Sequence, residues 1–214
     1  MIPVAEKPSK DIPLFSSSKL LLQYLDFRKL NHYIDMLEEA NRRINLVSRE
    51  TYRDDFYRFT ADSLVPLAFG HSLSGRFFDI GSGGGFPAIP LLLASPALFG
   101  TMVERTQKKA RFLESVIASL QINADVIPLD FTEAVRTFDG PPFSFGSMKY
   151  VRLDSRIMAD VKRLLVSGGK FFYFSRIDQS FPREITSIPH ETLEYYLDGT
   201  DVVRTLSVFS FGTA

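Results

Sequence analysis

Residues Asp79-Ile80-Gly81-Ser82-Gly83-Gly84-Gly85-Phe86-Pro87 decide how this chain is read. Phe77-Phe78-Asp79-Ile80 has strand character, and the run after the glycines, to about Ala94, has helical character. A glycine-rich connection from strand to helix allows a tight turn and close approach of backbone to a ligand, and a helix start favours negative charge. Downstream the alternation continues. Thr101–Glu104, Asp125–Leu129, Phe143–Tyr150 and Lys170–Phe174 read as strands, with helices over Thr106–Leu120, Thr132–Phe138 and Asp154–Leu165 between them. Strands that alternate with helices predict an open α/β sheet of parallel order. Leu193–Leu197 and Val202–Phe211, joined through Asp198-Gly199, read as a late antiparallel pair at one edge.

Upstream of the glycines the pattern is helical. Leu20, Leu21, Tyr24, Leu25, Leu30, Tyr33, Ile34 and Leu37 recur at helical spacing, which predicts one helix from Ser18 to about Arg43. A second, Tyr52 to Phe69, is interrupted near Pro66. The expected organisation is a mobile tail or a strap over 1–17, a helical cap over 18–74 and a ligand-binding α/β domain over 75–214.

The 214 residues include no cysteine, which excludes a disulfide scaffold, a thiolate metal site and a cysteine nucleophile. Lys+Arg 25 balance Asp+Glu 25, so bulk charge does not hold nucleic acid, although a local basic patch is compatible with this balance. The three histidines are scattered without ligand spacing, and no metal site is expected. The N-terminus lacks an apolar signal region, and the longest weakly polar run, Phe86 to Gly100, is too short to span a bilayer. The expectation is a soluble cytoplasmic protein.

The glycine loop admits three readings. A dinucleotide fingerprint needs Gly-x-Gly-x-x-Gly, and here Phe86 takes the last position and would obstruct a pyrophosphate. A bare tight turn is the second. The third is an S-adenosyl-L-methionine loop, acidic-x-Gly-x-Gly-x-Gly, which Asp79, Gly81, Gly83 and Gly85 fit in every slot. Glu104, at the end of the next strand, stands where a carboxylate can accept both ribose hydroxyls. Asp130 either accepts from an adenine amino group or caps the next helix, and Phe131 either packs on the ring or belongs to the core. Lys149, at the end of the fourth strand, either contacts a phosphate or the cofactor carboxylate, or is a solvated strand-end lysine.

Three further blocks carry a family resemblance: Asn41-Arg42-Arg43-Ile44-Asn45-Leu46 with Ala61-Asp62-Ser63, then Gly85-Phe86-Pro87-Ala88-Ile89-Pro90, then Lys108-Lys109-Ala110-Arg111-Phe112-Leu113. Together with the glycine loop they resemble the glucose-inhibited division protein B family over about residues 20–175. That resemblance implies a class I S-adenosyl-L-methionine-dependent methyltransferase fold: a Rossmann-like, seven-stranded sheet, mostly parallel with antiparallel last strands, under an N-terminal helical cap. It implies methylation of N7 of a guanine in small-subunit (16S) ribosomal RNA, with S-adenosylhomocysteine as product. It adds Ser82, Phe86 and Arg105 to the cofactor residues, Lys149 and Asn45 to the catalytic ones, and Arg42, Arg43, Lys108, Lys109 and Arg111 to the RNA-binding ones. Arg49 belongs beside Arg42 and Arg43. Asn45 and Asp62 have an alternative as helix caps or structural partners between cap and sheet. Where the family shows Ser-Arg-Ala after the fourth strand, this chain has Met148-Lys149-Tyr150. The expected partner is ribosomal RNA within a structured particle, bound by a monomer. Alternatives are methylation of another RNA site or of a small molecule, and a non-catalytic cofactor-binding RNA module.

Overall fold

The computed structural model describes residues 12–48 and 50–212. Before the glycine loop come β1 (Leu14–Phe15), α1 (Ser17–Tyr24), α2 (Phe27–Asn41), α3 (Arg53–Ser63) and α4 (Val65–Ala68). After it the elements alternate: β2 (Arg76–Ile80), α5 (Ala88–Ala94), β3 (Phe99–Val103), α6 (Gln107–Leu120), β4 (Ala124–Ile127), α7 (Phe131–Thr137), β5 (Phe143–Met148), α8 (Ser155–Leu164) and β6 (Leu165–Tyr173). The short α9 (Arg183–Thr186), then β7 (His190–Leu197) and β8 (Arg204–Ser210), complete the chain.

All strands join one eight-stranded sheet in the order β1-β7-β8-β6-β5-β2-β3-β4. From β2 the chain winds outward through β3 to β4, then returns to β5 on the other side of β2 and winds the opposite way. The reversal opens a crevice at the carboxyl ends of β2 and β5, where open α/β sheets bind ligands. β8 is antiparallel to both β6 and β7, so β7 runs in the same direction as the rest and β8 alone is reversed. The expected antiparallel pair of last strands is present, and of the two only β8 runs against the rest of the sheet.

Adjacent aromatic residues divide between the two faces, as the two-residue period of a strand requires. Phe77 and Phe172 join the core beneath α2, α3, α5 and α6, while Phe78 and Phe171 join the core beneath α7 and α8. Leu30, Tyr33, Ile34 and Leu37 of α2 belong to the first of these cores, so the helical segment is packed into the sheet rather than tethered to it.

Three expectations change. The chain breaks between α1 and α2 because the Asp26 carboxylate accepts the Arg28 N–H at 2.8 Å and caps a new helix. The described part of the tail expected over 1–17 is built into the fold: β1 pairs in parallel with β7, the Ser17 N–H donates to Asp198 Oδ1 at 2.8 Å, and this eighth strand adds to the seven expected. Residues 1–11 lie outside the described residues. Leu165–Gly169, expected as a helix end and a turn, forms the start of β6, with an irregular register against β5. Among the described residues no helix is long and apolar enough to cross a membrane.

Candidate functional site

A cavity of about 720 Å³ opens at the carboxyl ends of β5, β2, β3 and β4. Each strand delivers residues to it through the loop that follows: Lys149 and Tyr150 after β5, Gly81–Gly84 after β2, Glu104 and Arg105 after β3, Leu129–Thr132 after β4. The helical segment contributes Leu46, Val47 and Phe59.

The glycine loop is held from below and from above. Gly81 and Ser82 donate their N–H groups to Val103 O at 2.8 and 3.2 Å, and the Tyr33 hydroxyl of α2 donates to Gly84 O at 2.7 Å. At Gly85, φ is +102°, and an added Cβ would stand 2.5 Å from Ile89 Cγ1 and 2.9 Å from the Tyr33 hydroxyl. Gly85 is therefore required by the loop's own packing. An added Cβ at Gly83 would make only ordinary contacts, so the demand there is its φ of +56°. The Gly83 N–H donates to Glu104 Oε2 at 2.9 Å and the Thr106 N–H to Oε1 at 2.8 Å. Two backbone amides thus orient a buried carboxylate that still has lone pairs to offer the cavity.

Behind this wall lies Asp79. It is fully buried, and its Oδ1 accepts from the Ser147 hydroxyl of the neighbouring strand at 2.7 Å. Its Oδ2 has no hydrogen-bond partner among the described residues. Burial pushes the carboxyl up to about 7, against the smaller lowering influences of Ser82, Ser147 and Lys149.

A second buried carboxylate ties the helical segment to the sheet. Asp62 of α3 stands 2.6 Å from the Lys149 ammonium and 3.4 Å from the Arg204 guanidinium, and accepts the Tyr195 hydroxyl at 2.8 Å. Burial alone would raise its pKa, but the two cations and the hydrogen bonds outweigh that and hold it below the usual carboxylate value. Lys149 is 3% exposed, and its ammonium, 2.6 Å from Asp62, stands at the cavity wall.

Tyr150, the next residue, has φ +59° and is 73% exposed. A bulky side chain in the left-handed region costs about 1–3 kcal/mol and persists only where its surroundings impose it. The ring meets Phe59 edge-on with centroids 6.5 Å apart.

Of the residues singled out from sequence, Gly81, Ser82, Gly83, Phe86, Glu104, Arg105, Lys109, Asp130, Phe131 and Lys149 line the cavity, whereas Asp79 and Gly85 lie behind it. Asp130 also caps α7, accepting the Thr132 N–H at 3.0 Å, and Phe131 also stacks on Phe78 in the core. Asn45, Arg42, Lys108 and Arg111 are exposed and do not line it. Arg43, just past the end of α2, also lies outside the cavity and pairs with Glu39 at 3.2 Å. Arg49 lies outside the described residues. Sequence reading missed Tyr33, which sits in the apolar stripe of α2 and looks like core. It missed a role for Asn41, whose Oδ1 accepts the N–H groups of Leu46 and Val47 at 3.0 and 3.1 Å and so folds the loop that lines the cavity. It also missed Tyr150, Arg152 and Arg156, ordinary exposed residues in sequence that the turn after β5 brings to the cavity.

The family model GidB, rRNA small subunit methyltransferase G, matches residues 26–172. The chain belongs to this family. The GidB match runs from α2 into β6, so Asp62 and Lys149 fall inside it, while Tyr195 and Arg204, which complete their cluster, fall outside. The ribosomal RNA small subunit methyltransferase G of Laribacter hongkongensis is 30% identical over 194 residues, 83% of this chain and 85% of that protein. The protein of the same name from Leuconostoc citreum is 32% identical over 114 residues, 52% of this chain. In that match this chain spans about half of its relative's length, 48%. Among solved structures, the O-methyltransferase of Bacillus cereus, in complex with SAH, superposes with a TM-score of 0.58 at 16% identity, covering 83% of this chain and 90% of that one. The likeness gives the fold, the Rossmann-like sheet of class I S-adenosyl-L-methionine-dependent methyltransferases.

Proposed function

We propose that this protein is an S-adenosyl-L-methionine-dependent methyltransferase that modifies N7 of a guanine in small-subunit ribosomal RNA. In this reading it acts as a cytoplasmic monomer on RNA within a ribosomal particle, with a cap over 18–74 covering a cofactor domain over 75–214. The observation that carries the reading is the convergence of the glycine loop, Glu104 and Lys149 on one cavity in a chain of the GidB family.

The donor set fits the cofactor. Glu104 offers a preoriented carboxylate to a pair of vicinal hydroxyls, Asp130 and Phe131 offer an acceptor and a ring to adenine, and Lys149 offers a buried cation to a carboxylate. When bound, the cofactor supplies an electrophilic methyl group. Guanine N7 carries a free lone pair and gives up no proton, so the protein's task is to position the base and exclude water. The cavity carboxylates accord with that task. Glu104, Asp130 and Asp154 each accept backbone N–H groups. Lys149 and Asn45 are proposed as catalytic residues, and Arg42, Arg43, Lys108, Lys109 and Arg111 are proposed to face the RNA.

The test combines labelled cofactor, purified protein and small-subunit particles, with the label mapped by nucleotide. Transfer to guanine N7 is expected. Cofactor binding without any transfer to the particles would remove the substrate assignment. Calorimetry on Glu104→Ala should show cofactor affinity weakened by about 1.5–3 kcal/mol, the size of a hydrogen bond to a charged group.

A further inference from the structure

We propose that Tyr150 is the platform on which the target nucleobase stacks, with Arg152 and Arg156 gripping the phosphates beside it, so that this wall takes a nucleotide flipped out of single-stranded RNA. The proposal rests on the methyltransferase reading and names how its substrate is held.

Three observations carry it. The first is position. Tyr150 follows β5, and Asp130 and Phe131 follow β4, with β2 and β3 between. At about 4.8 Å per strand, the two ends of the cavity are about 14 Å apart. The adenine residues thus occupy one end; at the other Lys149 is assigned to the cofactor's carboxylate, and Tyr150 beside it presents its exposed ring to a second ligand.

The second is the ring itself. A large aromatic side chain is 73% exposed at the cavity wall, on backbone at φ +59° that such residues rarely adopt. Phe59 contacts the ring edge-on at 6.5 Å, and the Lys149 ammonium lies 5.4 Å from its centroid. An anchored, exposed ring is what an unstacked base needs, because every base presents a π-face.

The third is charge. Arg105, Lys109, Arg152 and Arg156 line the cavity and form no ion pair among the described residues, whereas Arg43, Arg53, Arg58, Arg163 and Arg176 all have carboxylate partners. The nearest carboxylate in sequence, Asp154, is committed to the Ile157 N–H at 2.8 Å. The protein is neutral overall, and four cations with no ion pair among the described residues stand together at this cavity. Guanidinium groups beside an aromatic ring suit phosphates flanking a base.

The test uses Tyr150→Gly, Tyr150→Phe and the double variant Arg152→Ala/Arg156→Ala. It reads thermal stability, cofactor affinity by calorimetry, anisotropy binding of a fluorescein-labelled, guanine-containing single-stranded RNA, and methyl transfer to small-subunit particles. Glycine accepts the positive φ, so Tyr150→Gly should fold with no loss of melting temperature while RNA affinity and kcat/KM fall about 5- to 150-fold, the range for one stacked base. Tyr150→Phe should keep both, since stacking needs the ring and not the hydroxyl. The double arginine variant should bind RNA more weakly, with the slope of log affinity against log salt flatter by about 1.4 for two lost single-strand contacts. Cofactor affinity should be unchanged throughout. RNA binding by Tyr150→Gly equal to wild type would overturn the platform, as would a Tyr150→Phe loss equal to that of glycine. A wild-type protein that binds RNA through Tyr150 but methylates nothing in the particles would remove the functional reading alone. Wild-type methylation undisturbed by Tyr150→Gly would remove the platform alone.

Discussion

Asp79 places a carboxyl where water does not reach, with one oxygen satisfied by Ser147 and the other by nothing among the described residues. Its acid form is favoured in the folded chain up to about pH 7, against an ordinary value of 3.8. A carboxyl raised on folding contributes stability that is full below the unfolded pKa and is lost as pH rises through the folded one. Between pH 4 and 7 the wild-type protein should therefore lose stability that Asp79→Asn does not lose, on the order of 4 kcal/mol at about 1.4 kcal/mol per unit. The variant's melting temperature relative to wild type should climb across that window and level off above pH 8. A pH-independent difference would show that Asp79 does not titrate in this range. At this scale the sequence was informative about residue type and silent about direction. Asp79 reads as a cofactor carboxylate from its place in the motif, yet only the packing of β2 against β5 turns it inward to Ser147.

Strand β5 runs between β2 and β6, and its glycine shows how closely the layers fit. A Cβ at Gly146 would stand 2.3 Å from Phe78 Cζ. That ring cannot swing away, because Phe131, Phe143 and Phe171 pack around it. Gly146→Ala should destabilise by about 1–3 kcal/mol, the usual cost of overpacking a core, measured as a lower denaturant midpoint with unchanged slope. An unchanged midpoint would mean that the Phe78 cluster has room to spare. The strands and helices from β2 to α8 were legible because hydrophobic period and glycine punctuation agree there, whereas Gly168 and Gly169, which read as a turn, lie inside β6. The elements that were misjudged are those where a local cap or a distant strand wins. Asp26 divides one predicted helix into two, and β1 exists only because β7 offers it an edge.

Across the whole molecule, Asp62 joins the helical segment to three strands' ends through Lys149, Arg204 and Tyr195. Removing one partner of a buried ion pair leaves an uncompensated charge and costs about 3–5 kcal/mol. Asp62→Asn should therefore lose stability of that size at pH 7 in denaturant melts. Asp62→Asn/Lys149→Met should recover part of it, because one stranded cation is removed with the carboxylate. Equal midpoints for wild type and Asp62→Asn would show that the cluster does not hold cap to sheet. The folded carboxyl is held below its ordinary 3.8, so its contribution is full above that value and is lost as pH falls through the lower, folded pKa.

By itself the sequence determined the alternation of strands and helices, the glycine loop with Glu104 one strand further on, and the family blocks, because these are local patterns of period, turn chemistry and spacing. Only the tertiary structure decided what surrounds the cavity. Asp62 and Lys149 are 87 residues apart by number and Asp62 and Tyr195 are 133 apart, so no local pattern announces their meeting. Tyr150, Arg152 and Arg156 read as ordinary exposed residues until the turn after β5 carries them to the cavity, and exposure at a site differs from exposure elsewhere only in what stands opposite.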